Sequence, residues 1–291
     1  MPSAAPQRSN VLGAVWMIAA MAAFAVEDAF VKYASASLPL AQILTFFGLG
    51  GAYIFAILAW CNKEPLYTAD VLSPPMRLRV GFEIIGRLFY ILAITFTPLS
   101  SATVILQATP LVVVAAAALL FGETVGWRRW SAILLGLFGV LIILQPGADS
   151  FSALSLLAVI GMLGFAGRDL ASRAAPASLS TTQLGLYGFL PIIFVGLCFA
   201  LWEQAPFLMP DARTALALLA AILSGTAAYG CLMKAMRMGD VSAVTPFRYT
   251  RLIFGVTLGI VAFGETLTAP MLLGSGLIVL SGLFILARGK R

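Results

Sequence analysis

A nine-residue stretch that places charged residues in an apolar run occurs twice in this chain. Its first copy, residues 24–32, ends a hydrophobic run that starts at Val11, and its second copy, residues 165–173, has Phe, Ala, Asp and a basic residue at the same relative positions. Asp169 lies 141 residues after Asp28, which is close to half of the chain. A run of about 20 apolar residues can cross a bilayer, and ionisable residues within such a run mark functional sites. The chain therefore consists of one membrane-spanning unit that is repeated.

The proportions of apolar and charged residues place the chain among integral membrane proteins. Of 291 residues, 61% are hydrophobic and 10% are charged, whereas a soluble domain carries about 25% charge. The formal net charge of +6 comes mostly from basic residues in short connections, Arg77 and Arg79 among them, which orient a membrane protein by the positive-inside rule. We therefore expect a lipid bilayer and a small-molecule substrate as partners, and no nucleic acid.

Several kinds of functional site are excluded by residues and motifs that the sequence lacks. The chain has no His, which excludes histidine metal sites, Ser-His-Asp triads and histidine proton relays. Its three cysteines, Cys61, Cys198 and Cys231, form no CxxC motif and no disulfide framework. The Walker A phosphate-binding pattern is absent, so this chain does not hydrolyse ATP. We expect no metal, no cofactor and no catalytic residue.

Ten apolar segments separated by turn-forming residues are candidates to span the bilayer. We predict spans at about 11–33, 40–61, 79–96, 100–121, 128–145, 152–173, 181–202, 213–236, 241–263 and 269–287. The predicted domains are a first five-helix repeat at 11–145, a linker at 146–151, a second five-helix repeat at 152–287, and cytoplasmic tails at 1–10 and 288–291. Basic residues concentrate in the connections on one side, so both termini are predicted to be cytoplasmic.

A second repeated sequence ends the fourth span of each half. Residues 121–124 are Phe-Gly-Glu-Thr, and residues 263–266 are the same. Because each half has five spans, an odd number, the halves enter the membrane in opposite orientations. The sequence therefore predicts an all-α integral membrane protein whose ten transmembrane helices form two inverted five-helix repeats around a central cavity. Glu123 and Glu265 stand just before spans five and ten, where a carboxylate can accept hydrogen bonds from a helix start; a gating role is the alternative.

The ten spans, the two five-span halves and the repeated Gly-Glu resemble the EamA-type branch of the drug/metabolite transporter superfamily. This resemblance implies a basket of helices from spans one to four and six to nine around the cavity, with spans five and ten at the periphery. It also implies small organic metabolites as cargo and a multi-pass location in a bacterial inner membrane. Residues 24–32 and 245–251 are similar to a subgroup that includes bacterial riboflavin importers. Other members of the branch export amino acids or take up S-adenosylmethionine.

Three acid–base pairs lie four residues apart within the predicted spans. They are Asp28 and Lys32, Glu83 and Arg87, and Asp169 and Arg173. On a helix each pair shares one face and can neutralise itself; alternatively, the substrate competes for one partner. Glu27 and Arg168 have no such local partner and occupy equivalent positions in the two halves, so they either belong to opposite gates or form cross-repeat or headgroup contacts. We assign a gating or coupling role to Glu27, Asp28, Lys32, Arg168, Asp169 and Arg173.

Span nine contains two arginines without a local acid, Arg248 and Arg251. Exposing an unpaired arginine of a span to lipid costs much free energy. The two arginines should therefore face the cavity or an acid of another helix, such as Glu83 or Glu27. Tyrosines in membrane helices either pack or bind, and a hydroxyl that needs a partner favours the cavity. The predicted substrate-binding residues are Arg248, Arg251, Tyr249, Gln107, Glu83, Arg87, Tyr90 and Tyr229.

These residues favour a secondary transporter for a small polar metabolite that carries a ring. Arginine and glutamine donate hydrogen bonds to carbonyl or imide edges, and aromatic side chains stack on rings. Riboflavin-type uptake across the inner membrane is the leading hypothesis, and export of amino acids or related metabolites is the alternative. A channel or an intramembrane enzyme is disfavoured. Asp28 and Asp169 could imitate the two acids of an intramembrane aspartyl protease, but they lie in matching repeat motifs, which a catalytic pair does not need. The sequence leaves both a monomer and a homodimer open.

Overall fold

The computed structural model describes residues 4–121, 126–145, 152–238 and 245–288, and these ranges contain eleven α-helices and two short 3-10 helices. The α-helices are α1 Ala4–Ala34, α2 Leu40–Cys61, α3 Pro74–Phe96, α4 Leu99–Leu106, α5 Thr109–Phe121, α6 Trp127–Leu144, α7 Ser155–Arg173, α8 Thr181–Glu203, α9 Ala212–Met238, α10 Thr250–Phe263 and α11 Ala269–Arg288. The 3-10 helices are Ala69–Leu72 and Thr245–Tyr249. These ranges contain no β-strand.

Helices occupy the described part of all ten predicted spans. Span four comprises α4 and α5, span nine comprises the 3-10 helix Thr245–Tyr249 and α10, and each remaining span is one α-helix. α1, α2, α7, α8 and α9 are long and apolar enough to cross a membrane by themselves, while α4–α5, α6 and α11 contain shorter apolar stretches. α3 carries Arg79, Glu83 and Arg87 at four-residue intervals, and all three are buried in protein. The predicted all-α membrane fold is confirmed.

Helices of the first half pack mainly against helices of the second half. α1 packs along α9, α2 along α8, α3 along α7, α4 against α10 and α6 along α11. Exchanging the two halves converts the α1–α9 pair into the α7–α3 pair and maps the α2–α8 and α6–α11 pairs onto themselves. α4 and α10 belong to spans four and nine, which exchange with each other. This is the pattern of an inverted repeat with pseudo-twofold symmetry, so the predicted arrangement of two inverted five-helix repeats is confirmed.

α3 and α7 approach each other so closely that their crossing requires glycine. A Cβ atom on Gly164 of α7 would lie 2.5 Å from the Cα atom of Gly86 in α3. Small residues permit such backbone contact between membrane helices. The crossing brings Glu83 of α3 within reach of Arg168 of α7, so the two glycines help to bring these oppositely charged side chains together.

The repeat-related spans four and nine are both interrupted at the same level. α4 ends at Leu106 and α5 begins at Thr109, while the 3-10 helix of span nine ends at Tyr249 and α10 begins at Thr250. Thr250 lies 141 residues after Thr109, which is the spacing of the repeat. Interrupted helices near the midplane form the substrate sites of many secondary transporters, so a site is expected at this level.

Candidate functional site

A cavity lies between the two interrupted spans, at the junction of the repeats. Its apolar lining includes Phe24 of α1, Phe165 of α7 and Leu106 at the end of α4. The polar residues of the lining are Arg87, Gln107, Thr109, Arg168, Asp169, Arg248 and Arg251. Its volume of about 60 Å³ holds a few water molecules and is too small for a metabolite. Charged side chains of the lining pair with one another, as Arg168 and Arg248 do with Asp169.

The two acids of the first repeated motif are both neutralised by arginines. Arg251 of α10 donates to the Asp28 carboxylate at 2.6 Å, and the Tyr90 hydroxyl donates to the same oxygen at 3.0 Å. Beside this pair, Arg87 of α3 donates to Glu27. Glu27 and Asp28 are buried, and removing the partner of a buried carboxylate strongly destabilises the folded protein. Arg87 and Arg251 therefore stabilise this conformation by neutralising the two buried carboxylates.

A second cluster surrounds Asp169, the repeat counterpart of Asp28. Arg168 donates to one carboxylate oxygen of Asp169 at 2.9 and 3.1 Å, and Arg248 donates to the other at 3.0 Å. Arg168 also forms an ion pair of 3.6 Å with Glu83 of α3, which is a contact between the two halves. Each of the two equivalent aspartates is thus held by one arginine of span nine.

The prediction that Asp28 and Lys32 neutralise each other is wrong. Asp28 pairs with the guanidinium of α10, and Lys32 lies 3.9 Å from Glu265. Lys32 also donates to the carbonyl oxygens of Ile94 and Thr97, at 2.9 and 2.7 Å. The physical reason is that Asp28 is buried between helices and a buried carboxylate needs a charged partner at hydrogen-bond distance. Arg251 supplies that partner, while Lys32 near the end of α1 donates to carbonyl oxygens at the end of α3.

The predicted local pair of Glu83 and Arg87 is also wrong, because Arg87 pairs with Glu27 and Glu83 pairs with Arg168. The third predicted local pair involves Arg173, whose side chain lies outside the described residues. The sequence offers Glu83 and Glu27 as possible partners for the arginines of span nine. In the structure these arginines pair instead with Asp169 and Asp28, the aspartates of the two motif copies. Several helices converge on the cavity, so Glu83, Arg87 and the two arginines of span nine find their partners on neighbouring helices.

Three further predicted substrate-binding residues lie in different surroundings. Gln107 is buried at the break of span four, lines the cavity, and has an amide nitrogen without a hydrogen-bond partner among the described residues. The hydroxyl of Tyr249 packs against Gly282 of α11 and lies outside the cavity lining. Tyr229 of α9 accepts a hydrogen bond from Arg79 and also lies outside the lining. Of these three, the structure brings Gln107 to the cavity.

Arg79 is a buried charged residue that the sequence interpretation places in a cytoplasmic connection. It is completely buried in the first turns of α3. Its guanidinium donates to the Ser172 hydroxyl at 3.0 Å, to the Leu184 carbonyl at 3.1 Å and to the Tyr229 hydroxyl. No acid among the described residues forms an ion pair with it. The signal in the sequence is its spacing of four residues from Glu83, which puts both on one helix face.

Two phenylalanines of the repeated motif line the cavity and were not among the predicted binding residues. The guanidinium of Arg251 lies over the Phe24 ring, 5.0 Å from its centroid, and that of Arg168 lies over the Phe165 ring at 4.7 Å. Both rings are buried, and an arginine above an aromatic face is a favourable cation–π contact. The signal in the sequence is that the two rings start the two copies of the motif.

Glu265 caps a different helix from the one predicted. Its carboxylate accepts hydrogen bonds from the backbone amides of Leu99 and Ser100 at 2.7 and 2.9 Å, and from the Ser100 hydroxyl at 2.6 Å. It therefore caps α4, where the helix dipole favours an anion, and not span ten. Gly264 adopts a φ of +63°, in the left-handed region that glycine favours, and this turn directs the carboxylate back to α4. Glu123, its counterpart, lies outside the described residues.

Comparison with known proteins shows similarity along almost the whole chain. The model of the EamA-like transporter family matches residues 11–145 and 153–287. A riboflavin transporter of Vibrio cholerae is 30% identical, over 94% of this chain and 92% of that protein. An S-adenosylmethionine uptake transporter of Rickettsia conorii is 24% identical, over 98% and 95%. A pseudopaline exporter of Pseudomonas aeruginosa is 28% identical, over 92% and 94%.

A solved structure shares the fold. A crystal structure with 19% sequence identity superposes with a TM-score of 0.67 and covers 97% of this chain and 98% of its own. Two matches of one family model, one in each half, agree with the interleaved inverted repeats and with the cavity at their junction. The chain is a multi-pass membrane transporter that belongs to the EamA-like transporter family.

Proposed function

We propose that this protein is a secondary transporter that imports riboflavin, or a closely related flavin, across the bacterial inner membrane. The observation that carries this proposal is the similarity to two proteins named riboflavin transporters, at 30% and 29% identity over at least 92% of each partner. With no Walker A pattern in the sequence, an ion gradient, exchange or facilitation drives the movement.

The lining of the cavity supports a cargo with carbonyl groups and a ring. Gln107 offers an amide donor that has no partner among the described residues, and Arg248 and Arg251 offer guanidinium donors beside it. Carbonyl and imide oxygens, which the flavin ring carries, are acceptors that complement such donors. Buried donors without partners discriminate strongly, since a cargo that cannot satisfy them leaves them unpaired. We therefore assign substrate recognition to the arginines and the glutamine at the helix breaks.

The ion pairs around the cavity support a gating role for the charged residues. The cavity of about 60 Å³ has to enlarge before a flavin can enter, so some of the pairs must separate during transport. Asp28 and Asp169 are the equivalent acids of the two repeats, and alternating access in inverted repeats moves one repeat against the other. We propose that Glu27, Asp28, Lys32, Arg168, Asp169 and Arg173 gate or couple transport. Because the chain lacks histidine, a proton would be carried by an acid.

For the topology we propose that residues 11–145 and 152–287 are the two repeats, joined by the linker at 146–151, with both termini in the cytoplasm. A reporter enzyme active only in the periplasm tests the orientation. It should be silent when fused at either terminus or near Lys63, and active near Pro146 or Pro210. Activity at the C-terminus would contradict the orientation or the even number of spans.

Uptake by purified protein in liposomes tests the cargo. Labelled riboflavin should enter with saturable kinetics, and unlabelled riboflavin should compete, whereas amino acids should not. Uptake that rises linearly with concentration would indicate a channel instead. If S-adenosylmethionine competes and riboflavin is not transported, the cargo assignment is wrong while the transporter class stands.

Export is the second candidate function, and the similarity to the pseudopaline exporter supports it. The same liposomes distinguish the two directions when they are loaded with labelled riboflavin or with labelled amino acids. Cells that lack their own riboflavin synthesis and express the protein should grow on low external riboflavin if it imports. Failure to grow, together with efflux of amino acids from loaded cells, would favour the exporter.

A further inference from the structure

The two copies of the repeated motif build the same three-residue arrangement on the cavity wall. In the first copy, Arg251 lies over Phe24 at 5.0 Å and donates to Asp28 at 2.6 Å. In the second copy, Arg168 lies over Phe165 at 4.7 Å and donates to Asp169, four residues after the ring, as Asp28 is in the first. Each repeat therefore presents a ring, an arginine above it and an aspartate that holds the arginine.

The arginines of these two arrangements come from different places in the sequence. Arg251 belongs to span nine, whereas Arg168 is a member of the second motif itself, where the first motif has Glu27. The sequence repeat alone does not place an arginine over both rings, because the equivalent positions 27 and 168 carry opposite charges. What the two arrangements share is a planar cation over the ring of an equivalent phenylalanine, and both phenylalanines line the cavity.

A guanidinium and a planar heterocycle are alternative occupants of one aromatic face. Both stack on phenylalanine, and aromatic rings do so with centroids about 4.5–7 Å apart, a range that includes the two arginine distances of 5.0 and 4.7 Å. The Nε atom of Arg251 has no hydrogen-bond partner among the described residues. An arginine displaced sideways by a ring therefore keeps its aspartate and has a donor left for a carbonyl group of that ring.

We propose that Phe24 and Phe165 are two repeat-related stacking faces that bind the planar ring of the cargo, and that Arg251 and Arg168 occupy these faces until the cargo displaces them. The choice of a flavin as the ring rests on the proposed function, whereas the stacking role rests on the geometry of the two motifs. The phenylalanines thus determine specificity for planar cargo, and the arginines keep the faces covered in its absence.

Binding to the purified full-length protein tests the proposal, with riboflavin, its ring without the sugar-alcohol chain (lumichrome), and ribitol as probes. Phe24→Leu and Phe165→Leu should each weaken riboflavin and lumichrome binding by about 3- to 10-fold, because leucine fills the space but cannot stack. Phe24→Tyr and Phe165→Tyr should stay within about twofold of the wild type, since the planar face is kept. If a leucine variant does not fold, methionine, which fits irregular space, replaces it at that position.

The matched control is Phe55→Leu. Phe55 is buried in α2, packs against Phe189 and Tyr229, and lies outside the cavity lining. It should lower the unfolding temperature without changing the affinity for riboflavin, which separates loss of stacking from loss of packing. Leucine variants of Phe24 and Phe165 that bind riboflavin as tightly as the wild type would overturn the proposal.

Failure of the flavin assignment gives a different result. If the wild type does not bind riboflavin but binds another planar heterocycle, such as adenosine or S-adenosylmethionine, the cargo is corrected, and the leucine and tyrosine variants decide the stacking role on that ligand. If the wild type binds ribitol or a linear amino acid more tightly than every ring compound, the stacking proposal is overturned together with the flavin.

Discussion

Asp28 and Arg251 are separated by 223 residues in the sequence, and their side chains meet at 2.6 Å in the centre of the protein. The equivalent aspartate of the second repeat, Asp169, meets Arg248 of the same span at 3.0 Å. In span four, the repeat counterpart of span nine, the residue at this level is Gln107, which carries no charge. Arginines of one span therefore pair with the equivalent aspartates of both repeats, so a movement of span nine would alter both ion pairs.

The first prediction concerns this pair. Asp28→Asn and Arg251→Gln should each destabilise the protein by about 3–5 kcal/mol, because each leaves a buried charge without its partner. The double variant should lose much less than the sum of the two. Thermal or denaturant unfolding in detergent measures these values. The control is the cycle of Asp28→Asn with Lys32→Gln, which should be close to additive, since these side chains have other partners. Strong coupling in the control cycle would contradict the structure.

The second prediction concerns recognition by the arginines of span nine. Arg248→Lys and Arg251→Lys keep the positive charge but lose the planar fork of donors. We expect folded protein whose apparent affinity for cargo in liposome uptake falls by about 5- to 10-fold, about 1–1.4 kcal/mol. The control is Arg128→Lys, because Arg128 is exposed at the start of α6. If both variants remain within about twofold of the wild type, the arginines hold the aspartates and do not contact cargo.

The third prediction concerns Arg79, which has neutral oxygen partners on three helices or their ends. Tyr229→Phe removes one acceptor and should destabilise the protein by about 1–3 kcal/mol, the cost of a buried donor left unsatisfied. Arg79→Lys should cost at least as much, because a lysine cannot reach the acceptors in the same fork geometry. Arg77→Lys is the control, since Arg77 is exposed two residues earlier on the same helix. Equal unfolding temperatures for the Arg77 and Arg79 variants would refute the role of Arg79.

The fourth prediction concerns the cap formed by Glu265. Glu265→Gln should lower the free energy of unfolding by about 1–3 kcal/mol, because hydrogen bonds to a charged acceptor are the stronger ones and the amide leaves one donor of α4 unpaired. Glu203→Gln, at the exposed end of α8, should change stability by less than about 0.5 kcal/mol. Hydrogen exchange of the amides of Leu99 and Ser100 gives a direct test, because their protection should fall in the Glu265 variant and not in the Glu203 variant.

The architecture could be predicted because its signals are local or periodic. Apolar length predicts the spans, and the recurrence of Asp28 as Asp169 together with an odd number of spans predicts the inverted repeat. The interruption of span four was not predicted, since Thr109 and Pro110 follow an apolar run that also suits a continuous helix. Such breaks depend on what the neighbouring helices offer to the freed backbone groups.

The partners in the candidate site could not be predicted, because spacing along one helix gives only possible neighbours. Lys32 lies one turn from Asp28, yet the buried guanidinium of Arg251 takes that acid. Which helix faces α1 depends on packing between the halves, and a single sequence contains no direct record of it. The direction of the Glu265 side chain depends likewise on the left-handed turn at Gly264, a backbone angle that the residue type permits but does not impose.

The interleaving of the halves has a consequence for how the protein is made. The ribosome completes α1, with its two buried acids, long before α10 and Arg251 exist. In the growing chain the basic residue nearest to Asp28 along α1 is Lys32, so the assembled pair with Arg251 forms only when the ninth span has been inserted. The first five helices likewise enter the bilayer without the neighbours against which most of them finally pack. A chain that stops after the first half thus lacks the helices against which α1, α2 and α3 pack, and assembly of the whole transporter waits for the second half.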